Sequence, residues 1–279
     1  SIEYRIEERK IIRFAFPENT DQILGFEVHT RGECTIYGGY YAVVCQPEDI
    51  NPVVLSLATT TCRKEAFIKK NVELLKGEIL DADEEDIRNN IYIHVVDNGR
   101  TLTEKDIFGE HVFLHPNNNT GGAGGFSRGM IESIHQTPKA THVLLMDDDV
   151  LMLPESIVRT YKLLTLMKEE YADHFISGAM LYYEEPNRQH EDIGTITSDC
   201  LFCSLKPKFN HDFLNDNLDN ENDFIKQKNE YAGWWYCCIP VNVIEKNGLA
   251  LPIFIRCDDM EYSLRCKANI ITMNGICVW

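Results

Sequence analysis

The feature that most restricts the fold of this chain is an alternation of short apolar runs with stretches of helical periodicity. Four of the five apolar runs end in polar residues. The runs are VVLSLATTT from Val53, IYIHVVDNG from Ile91, HVFLH from His111, THVLLMDDD from Thr141 and HFISGAML from His174. Strands that alternate with helices form βαβ units around a mainly parallel sheet. The polar strand ends therefore fall at the carboxyl edge of the sheet, where open α/β sheets bind their ligands.

Helices are predicted between and after these runs. Apolar residues recur at helical spacing in 67–75, 123–136 and 154–171, and acidic residues open a further helix at 258–269. GWWYCCIPV is another apolar segment, and IITMNGICVW is predicted to be a final strand. Residues 184–232 are polar and irregular, which we interpret as a solvated loop, with a mobile flap over the site as the alternative.

Residues 1–50 have a different pattern. IEYRIEERKIIRFAF and TIYGGYYAVVC are strand-like, and turn residues lie between them in PENTD and RGE. We predict a small β-rich N-terminal unit over 1–50 and one α/β domain over 51–279.

The composition narrows the choice of partners. The chain has 279 residues, with 27 Lys and Arg against 44 Asp and Glu, so its formal net charge is −17. Such a charge argues against nucleic acid, because phosphate binding needs a basic surface, and it favours neutral partners or anions held by a metal ion. Ten cysteines scattered in apolar contexts indicate reduced, mostly buried thiols of a cytoplasmic protein. No apolar run reaches the ~18 residues of a spanning helix.

Three consecutive carboxylates, Asp147, Asp148 and Asp149, directly follow the run THVLLM. They repel one another unless a cation neutralises them, and hard oxygen ligands suit Mg²⁺ or Mn²⁺. In an extended chain alternate side chains share a face, so Asp147 and Asp149 are expected to converge while Asp148 points away. An acidic turn that caps the helix at Pro154 is the alternative.

Two further segments carry candidate chemistry. The loop HPNNNTGGAGGFSRGM opens a helix and has four glycines in five positions, so its backbone can approach a ligand or another element closely. The helix DDMEYSLR begins with Asp258, Asp259 and Glu261, which the helix dipole alone favours but which also include a possible general base. Adjacent residues of a strand point to opposite faces, so only one of Trp234 and Trp235 can face the core, and the other is available for sugar stacking.

Several motifs, taken in their order, resemble those of the family-2 glycosyltransferases of the galactofuranosyltransferase type. They are PNNNTGGAGGFSRG, MDDDV with LPES, GWW, and DDMEYSLR with GICVW, and the resemblance covers Val53 to Trp279. The resemblance implies a GT-A fold, Mn²⁺ or Mg²⁺, and a UDP-sugar donor, with UDP-galactofuranose preferred. It also implies inversion at the anomeric carbon and a glycan or lipid-linked glycan acceptor in cell-surface polysaccharide synthesis, such as that of a capsule or cell wall.

The resemblance assigns roles to individual residues. It implies a metal site at Asp147 and Asp149 and a catalytic base at Asp259, with Asp258 and Glu261 as alternatives. Acceptor contacts are implied for Trp234 and Trp235. Donor contacts are implied for Arg63, Asp97, Asn119, Gly121, Gly122, Phe126 and Asp147.

Two departures from the family pattern stand out. Phe126 replaces a tyrosine, so one hydroxyl contact is missing. In the family a metal-ligand histidine follows the tryptophan of the last strand, whereas the sequence here stops at Trp279. We expect the natural chain to continue with that histidine and further helices.

Two other functions stay open at this point. A nucleotidyltransferase would also bind a metal ion and a nucleotide, with Arg128, which lies beside the glycines, near the α-phosphate. A non-catalytic module would only bind the nucleotide sugar. We predict a cytoplasmic location, and the sequence leaves open the inner face of the membrane, peripheral membrane association and homo-oligomer formation.

Overall fold

The computed structural model describes residues 5–15, 27–38, 41–206, 209–222 and 229–279. The chain divides into two units, Ser1–Val43 and Val44–Trp279.

The described residues of the first unit contain neither a strand nor a helix. The predicted β-rich character is therefore wrong for 5–15, 27–38 and 41–50, where the structure has only a 3₁₀ turn at Pro47–Asp49, and the other residues of this prediction lie outside the described ranges. Ile11 is 79% exposed and Tyr37 is 71% exposed. Strands need a buried face to be stable on their own, and these apolar side chains do not form one.

The second unit contains an α/β fold. Its helices are α1 (Glu65–Leu75), α2 (Glu85–Asn90), α3 (Gly121–His135), α4 (Pro154–Thr165), α5 (Leu214–Asn222), α6 (Val241–Asn247) and α7 (Asp258–Cys266). Its strands are β1 (Leu55–Thr61), β2 (Ile91–Asp97), β3 (Val112–Pro116), β4 (His142–Asp147), β5 (Phe175–Ser177), β6 (Ala179–Leu181), β7 (Gln189–Glu191), β8 (Gly194–Ile196), β9 (Phe202–Ser204), β10 (Glu230–Tyr231), β11 (Cys237–Pro240), β12 (Ile270–Ile271) and β13 (Cys277–Val278). A π-helical turn, Lys76–Leu80, extends α1, and Pro47–Asp49 and Glu169–Tyr171 are 3₁₀ turns.

Seven strands form the main sheet, in the order β12-β5-β11-β4-β1-β2-β3. The pairs around β1 are parallel, and β11 runs antiparallel to β4 and β5. Two apolar clusters cover the two faces of this sheet: α1 and α4 contribute to one, and α3 and α6 to the other. The predicted mainly parallel sheet with flanking helices is thus confirmed.

The segment predicted as one strand at 174–181 is divided between two sheets. β5 belongs to the main sheet, while β6 joins β7 and β13 in a three-stranded sheet. Gly178 separates the two strands, and a Cβ there would lie 2.6 Å from the ring of Tyr236. The absence of a side chain therefore lets the chain bend around a buried aromatic ring.

Two other predictions need correction. Residues 184–232 are not only a solvated loop, since they form β7 to β10 and α5 and include a buried ion pair of Asp192 and Lys206, 2.8 Å apart. IITMNGICVW is two short strands in different sheets, with a turn between them.

All ten cysteines are free, but only Cys237 and Cys238 are buried. No helix among the described residues has the length and apolar character needed to cross a membrane.

Candidate functional site

The predicted site lies at the carboxyl edge of the main sheet, between β1 and β4. These parallel strands are neighbours, with Thr60 opposite Asp147. The chain continues from β1 toward β2 and β3 on one side of the sheet, while β4 and β11 lie on the other. The aspartate triplet therefore occupies the point where the strand order reverses, which is the usual ligand site of an open α/β sheet.

The backbone of the triplet is held by one buried side chain of α1. Asn71 is 6% exposed, and its Nδ2 donates to the carbonyl oxygens of Asp148 and Val150 at 3.1 and 3.0 Å. An asparagine on the otherwise apolar face of α1, beside Ile68 and Val72, was the sequence signal for this role. The two bonds fix the turn that follows β4 and so the direction of its carboxylates.

Burial raises the pKa of three carboxylates in this region, and repulsion between neighbouring carboxylates adds to the effect at two of them. Burial, with repulsion from Asp149 and Asp148, raises the pKa of Asp147 to about 7, and Asp258 adds to the repulsion. Burial also raises the pKa of Asp148 and of Asp258. Negative charge is thus concentrated where a cation would relieve it.

A lysine that the sequence did not single out partly supplies this cation. The Nζ of Lys64 forms a close ion pair with Oδ2 of Asp149 and lies 3.7 Å from Oδ1 of Asp148. The predicted alternation is therefore incomplete, since Lys64 lies near the carboxylates of both Asp148 and Asp149. The reason is that β4 ends at Asp147, so the extended geometry on which the prediction relied stops there.

The donor set fits a hard divalent cation. It consists of the carboxylate oxygens of Asp147 and Asp149, which suit Mg²⁺ or Mn²⁺. Among the described residues, no three His, Cys, Asp or Glu side chains are already grouped as metal ligands. A cation held by Asp147 and Asp149 would therefore complete its coordination with oxygens from water or a diphosphate.

The glycine-rich segment forms the next side of the site. Asn119 is exposed, and its Oδ1 accepts a hydrogen bond from the N–H of Gly121 at 3.2 Å. Gly121 has φ +73°, and a Cβ there would lie 1.9 Å from the carbonyl oxygen of Phe254. A Cβ on Gly122 would lie 3.3 Å from Oδ2 of Asp258. The glycines thus bring the start of α3 beside the first carboxylate of α7.

The carboxylates of α7 differ in their surroundings. Burial raises the pKa of Asp259 to about 6, and the neighbouring Asp258 also raises it, while the Met260 N–H donates to Asp259 Oδ1 at 2.8 Å. Glu261 is instead paired with Arg265. A carboxylate with a pKa close to neutrality is suited to proton transfer, so Asp259 has the environment of a general base and Glu261 does not.

Three predicted ligand contacts are not available on the surface of this structure. Asp97 is fully buried, and its carboxylate accepts the backbone N–H groups of Gly99, Thr101 and Leu102, so it shapes the loop after β2 rather than facing a nucleotide. Phe126 is 5% exposed and packs edge-on against Trp234, itself 4% exposed. Both aromatic side chains belong to the core because α3 packs directly on the sheet.

Two other predicted residues remain accessible. Arg63 is exposed at the end of β1. Trp235 is partly exposed, lies against Gly233, and donates its Nε1–H to the carbonyl oxygen of Gly178 at 2.9 Å. Of the two adjacent tryptophans, Trp235 is the one with surface for a ligand. Arg128 is engaged with Glu132 one turn along α3, which removes support for a role at an α-phosphate.

A further carboxylate near Asp259 was not predicted from the sequence. Glu191 in β7 is 9% exposed, its side chain accepts a hydrogen bond from Tyr231, and its charge interacts with that of Asp259. The ring of Tyr231 covers Gly194, where a Cβ would lie 2.1 Å from Cζ. The segment 184–232 therefore contributes to the site, although its polar composition indicated only a loop or a flap.

Comparison with known proteins agrees with the motifs. No family model matches the chain. Galactofuranosyltransferase GlfT2 of Mycobacterium tuberculosis is 32% identical over 182 residues, and GlfT2 of Mycolicibacterium smegmatis is 31% identical over 183 residues. Each match covers 61% of this chain and 28% of the relative, so the chain matches less than a third of the length of these proteins.

Two solved structures share the fold. The mannosyltransferase PcManGT from Pyrobaculum calidifontis, in complex with GDP-Man and Mn²⁺, has a TM-score of 0.52 and 10% identity, with 82% of this chain and 57% of that chain covered. GalNAc-T7 with UDP, GalNAc and Mn²⁺ has a TM-score of 0.51 and 10% identity, with 80% and 43% covered. The chain therefore has the GT-A fold of these glycosyltransferases, and its sequence is similar to that of galactofuranosyltransferases, as its motifs predicted.

Proposed function

We propose that this chain carries the catalytic site of an inverting, metal-dependent glycosyltransferase that uses a UDP-sugar. The observation that carries the proposal is the convergence of the aspartate triplet, the glycine-rich start of α3 and the carboxylates of α7 at the switch point of the sheet. Likeness to the galactofuranosyltransferases supports UDP-galactofuranose as the donor and a glycan or lipid-linked glycan as the acceptor.

On the donor side, each group has a separate task. Asp147 and Asp149 would hold Mn²⁺ or Mg²⁺, which, when bound, stabilises the leaving diphosphate. Asn119, Gly121 and Gly122 bring backbone and amide groups toward the donor. Arg63, exposed after β1, lies on the side proposed for the nucleotide base.

The acceptor side lies toward α7. Trp235 offers a partly exposed ring for the acceptor sugar. Asp259 removes the proton of the acceptor hydroxyl as that oxygen attacks the anomeric carbon from the face opposite the diphosphate. A single displacement of this kind inverts the anomeric centre.

The direct test is incubation of the protein with UDP-galactofuranose, Mn²⁺ and a galactan acceptor. Release of UDP with a lengthened glycan supports the proposal. Release of pyrophosphate from UTP and a sugar 1-phosphate would instead identify a nucleotidyltransferase, and donor binding without turnover would identify a binding module.

Variants sharpen this test at the metal site. Asp147→Asn and Asp149→Asn are expected to weaken Mn²⁺-dependent UDP binding strongly, because each removes a charged ligand oxygen. Asp83→Asn, at an exposed aspartate outside the site, is the matched control. Metal-dependent binding that survives both changes would contradict the proposed metal site.

A further inference from the structure

Lys64 occupies a distinctive position next to the aspartate triplet. It directly precedes α1, and Arg63 before it has φ +60°, so the chain turns sharply after β1. This turn directs Lys64 across the carboxyl edge of the sheet toward β4. There its ammonium group pairs with Asp149 and lies 3.7 Å from Asp148.

The ammonium group and a divalent cation need the same oxygens. Lys64 contacts Oδ2 of Asp149, one of the carboxylates proposed as metal ligands. Two cations at one carboxylate repel each other. The lysine and the metal ion therefore cannot both bind Asp149 at full strength.

The lysine can leave this position easily. Its side chain is 44% exposed, and that of Asp149 is 43% exposed. Exposed ion pairs contribute little to stability, and a lysine stem can turn while its ammonium group stays in water. The pairing can therefore offset part of the negative charge of the triplet and still be exchanged for a metal ion.

We propose that Lys64 is an internal counter-ion of the aspartate triplet, which a divalent cation displaces from Asp149. This inference rests on the proposed function, because it takes Asp149 as a metal ligand. In the absence of metal, the lysine offsets the repulsion among the carboxylates. On metal binding it gives up Asp149, and its charge lowers the affinity of the site for the free ion.

The experiment measures binding of Mn²⁺ alone to the intact chain, by the loss of the free-ion signal in electron paramagnetic resonance at fixed pH. Lys64→Met is expected to tighten Mn²⁺ binding by about fivefold or more, since the competing charge is removed. Lys64→Arg keeps the charge and is expected to stay near the wild-type affinity. Lys69→Met is the matched control, because Lys69 lies on α1, is similarly exposed and pairs with Asp106 instead.

Thermal unfolding gives an independent readout. Without metal, Lys64→Met is expected to unfold at a lower temperature than the wild type, because the triplet has lost its counter-ion. Saturating Mn²⁺ is expected to close that gap. Should Lys64→Met fail to fold, Lys64→Gln serves for both measurements.

The outcomes separate the inference from the function beneath it. If the wild type binds Mn²⁺ and Lys64→Met binds it within twofold of the same affinity, the counter-ion role is wrong while the metal site stands. If no form of the protein binds Mn²⁺, with or without UDP, the metal-dependent function fails and this inference fails with it.

Discussion

Asp259 is the residue whose environment is best matched to a chemical role. Its carboxylate is withdrawn from water at the start of α7, and burial together with Asp258 raises its pKa to about 6. A base with a pKa just below neutrality is mostly ionised at pH 7 yet retains affinity for a proton. This balance is what deprotonation of a sugar hydroxyl requires.

We therefore predict that Asp259→Asn lowers turnover by about 10²-fold or more, the scale of losing a general base, while UDP affinity with Mn²⁺ is nearly unchanged. Steady-state kinetics and calorimetric titration with UDP measure the two effects. Glu261→Gln is the comparison on the same helix, since Glu261 is paired with Arg265. Unchanged turnover in Asp259→Asn would move the role of base to Asp258.

The pH dependence of turnover follows from the same carboxylate. Because its working form is ionised and its pKa is raised to about 6, the rate is expected to rise with pH through 6 and to fall on the acidic side. Asp258→Asn removes a neighbouring negative charge, which lowers the pKa of Asp259 and shifts this limb toward lower pH. An acidic limb that does not move in Asp258→Asn would contradict the assignment.

At the scale of elements, the site depends on contacts that join helices to strand ends. Asn71 in α1 supplies two hydrogen bonds to the turn after β4. Asn71→Ala leaves two buried carbonyl groups without this donor, which is expected to lower the free energy of unfolding by about 1–3 kcal/mol. It is also expected to weaken Mn²⁺-dependent UDP binding, because the aspartates lose their fixed direction.

Chemical denaturation and UDP titration measure the two consequences. Asn90→Ala is the control, because the hydrogen bond of the Asn90 amide to Asp86 is exposed to solvent. Full stability in Asn71→Ala would show that the turn after β4 holds itself without α1.

The contact between α3 and the segment before α7 is equally specific. Gly121 has φ +73°, and a Cβ at this position would lie only 1.9 Å from the Phe254 carbonyl oxygen. Gly121→Ala is therefore expected to displace this segment, to destabilise the fold by at least about 1 kcal/mol, and to reduce donor binding. Thermal unfolding and UDP titration test this expectation against Gly77→Ala, where a Cβ meets no atom within 4 Å.

For the molecule as a whole, the raised pKa of Asp147 makes stability depend on pH. A group whose folded pKa is raised stabilises the fold fully below its unfolded pKa, and this contribution is lost as the pH rises through the folded pKa. For Asp147 the window extends from the ordinary value of 3.8 to about 7. Above that window the metal-free protein carries a buried negative charge at Asp147, which an asparagine at this position would not carry.

We accordingly expect Asp147→Asn to unfold at a higher temperature than the metal-free wild type at pH 8, with the difference shrinking toward pH 4. A difference of about 1 kcal/mol corresponds to roughly 2–4 °C in Tm for a chain of this size. Mn²⁺ is expected to stabilise the wild type more than the variant. A Tm difference that does not vary with pH would contradict the raised pKa.

The order of elements around the site follows from local pattern. β1, β2, β3 and β4 and the helices α3 and α4 were predictable because hydrophobic periodicity depends on neighbouring residues, and a strand that ends in polar residues identifies its own carboxyl end. The aspartate triplet and the glycine-rich start of α3 were identifiable for the same reason. Each is a short, unbroken stretch of sequence.

Contacts between distant segments were beyond such patterns. Phe126 is buried against Trp234, and Lys64 reaches Asp149 from the carboxyl end of β1. Glu191 approaches Asp259 from a segment whose composition is that of a loop. Whether a polar side chain faces a ligand, a backbone amide or another charge depends on what the fold places opposite it. Local sequence specifies the candidates, and tertiary packing selects among them because burial and pairing are properties of residues that are far apart along the chain.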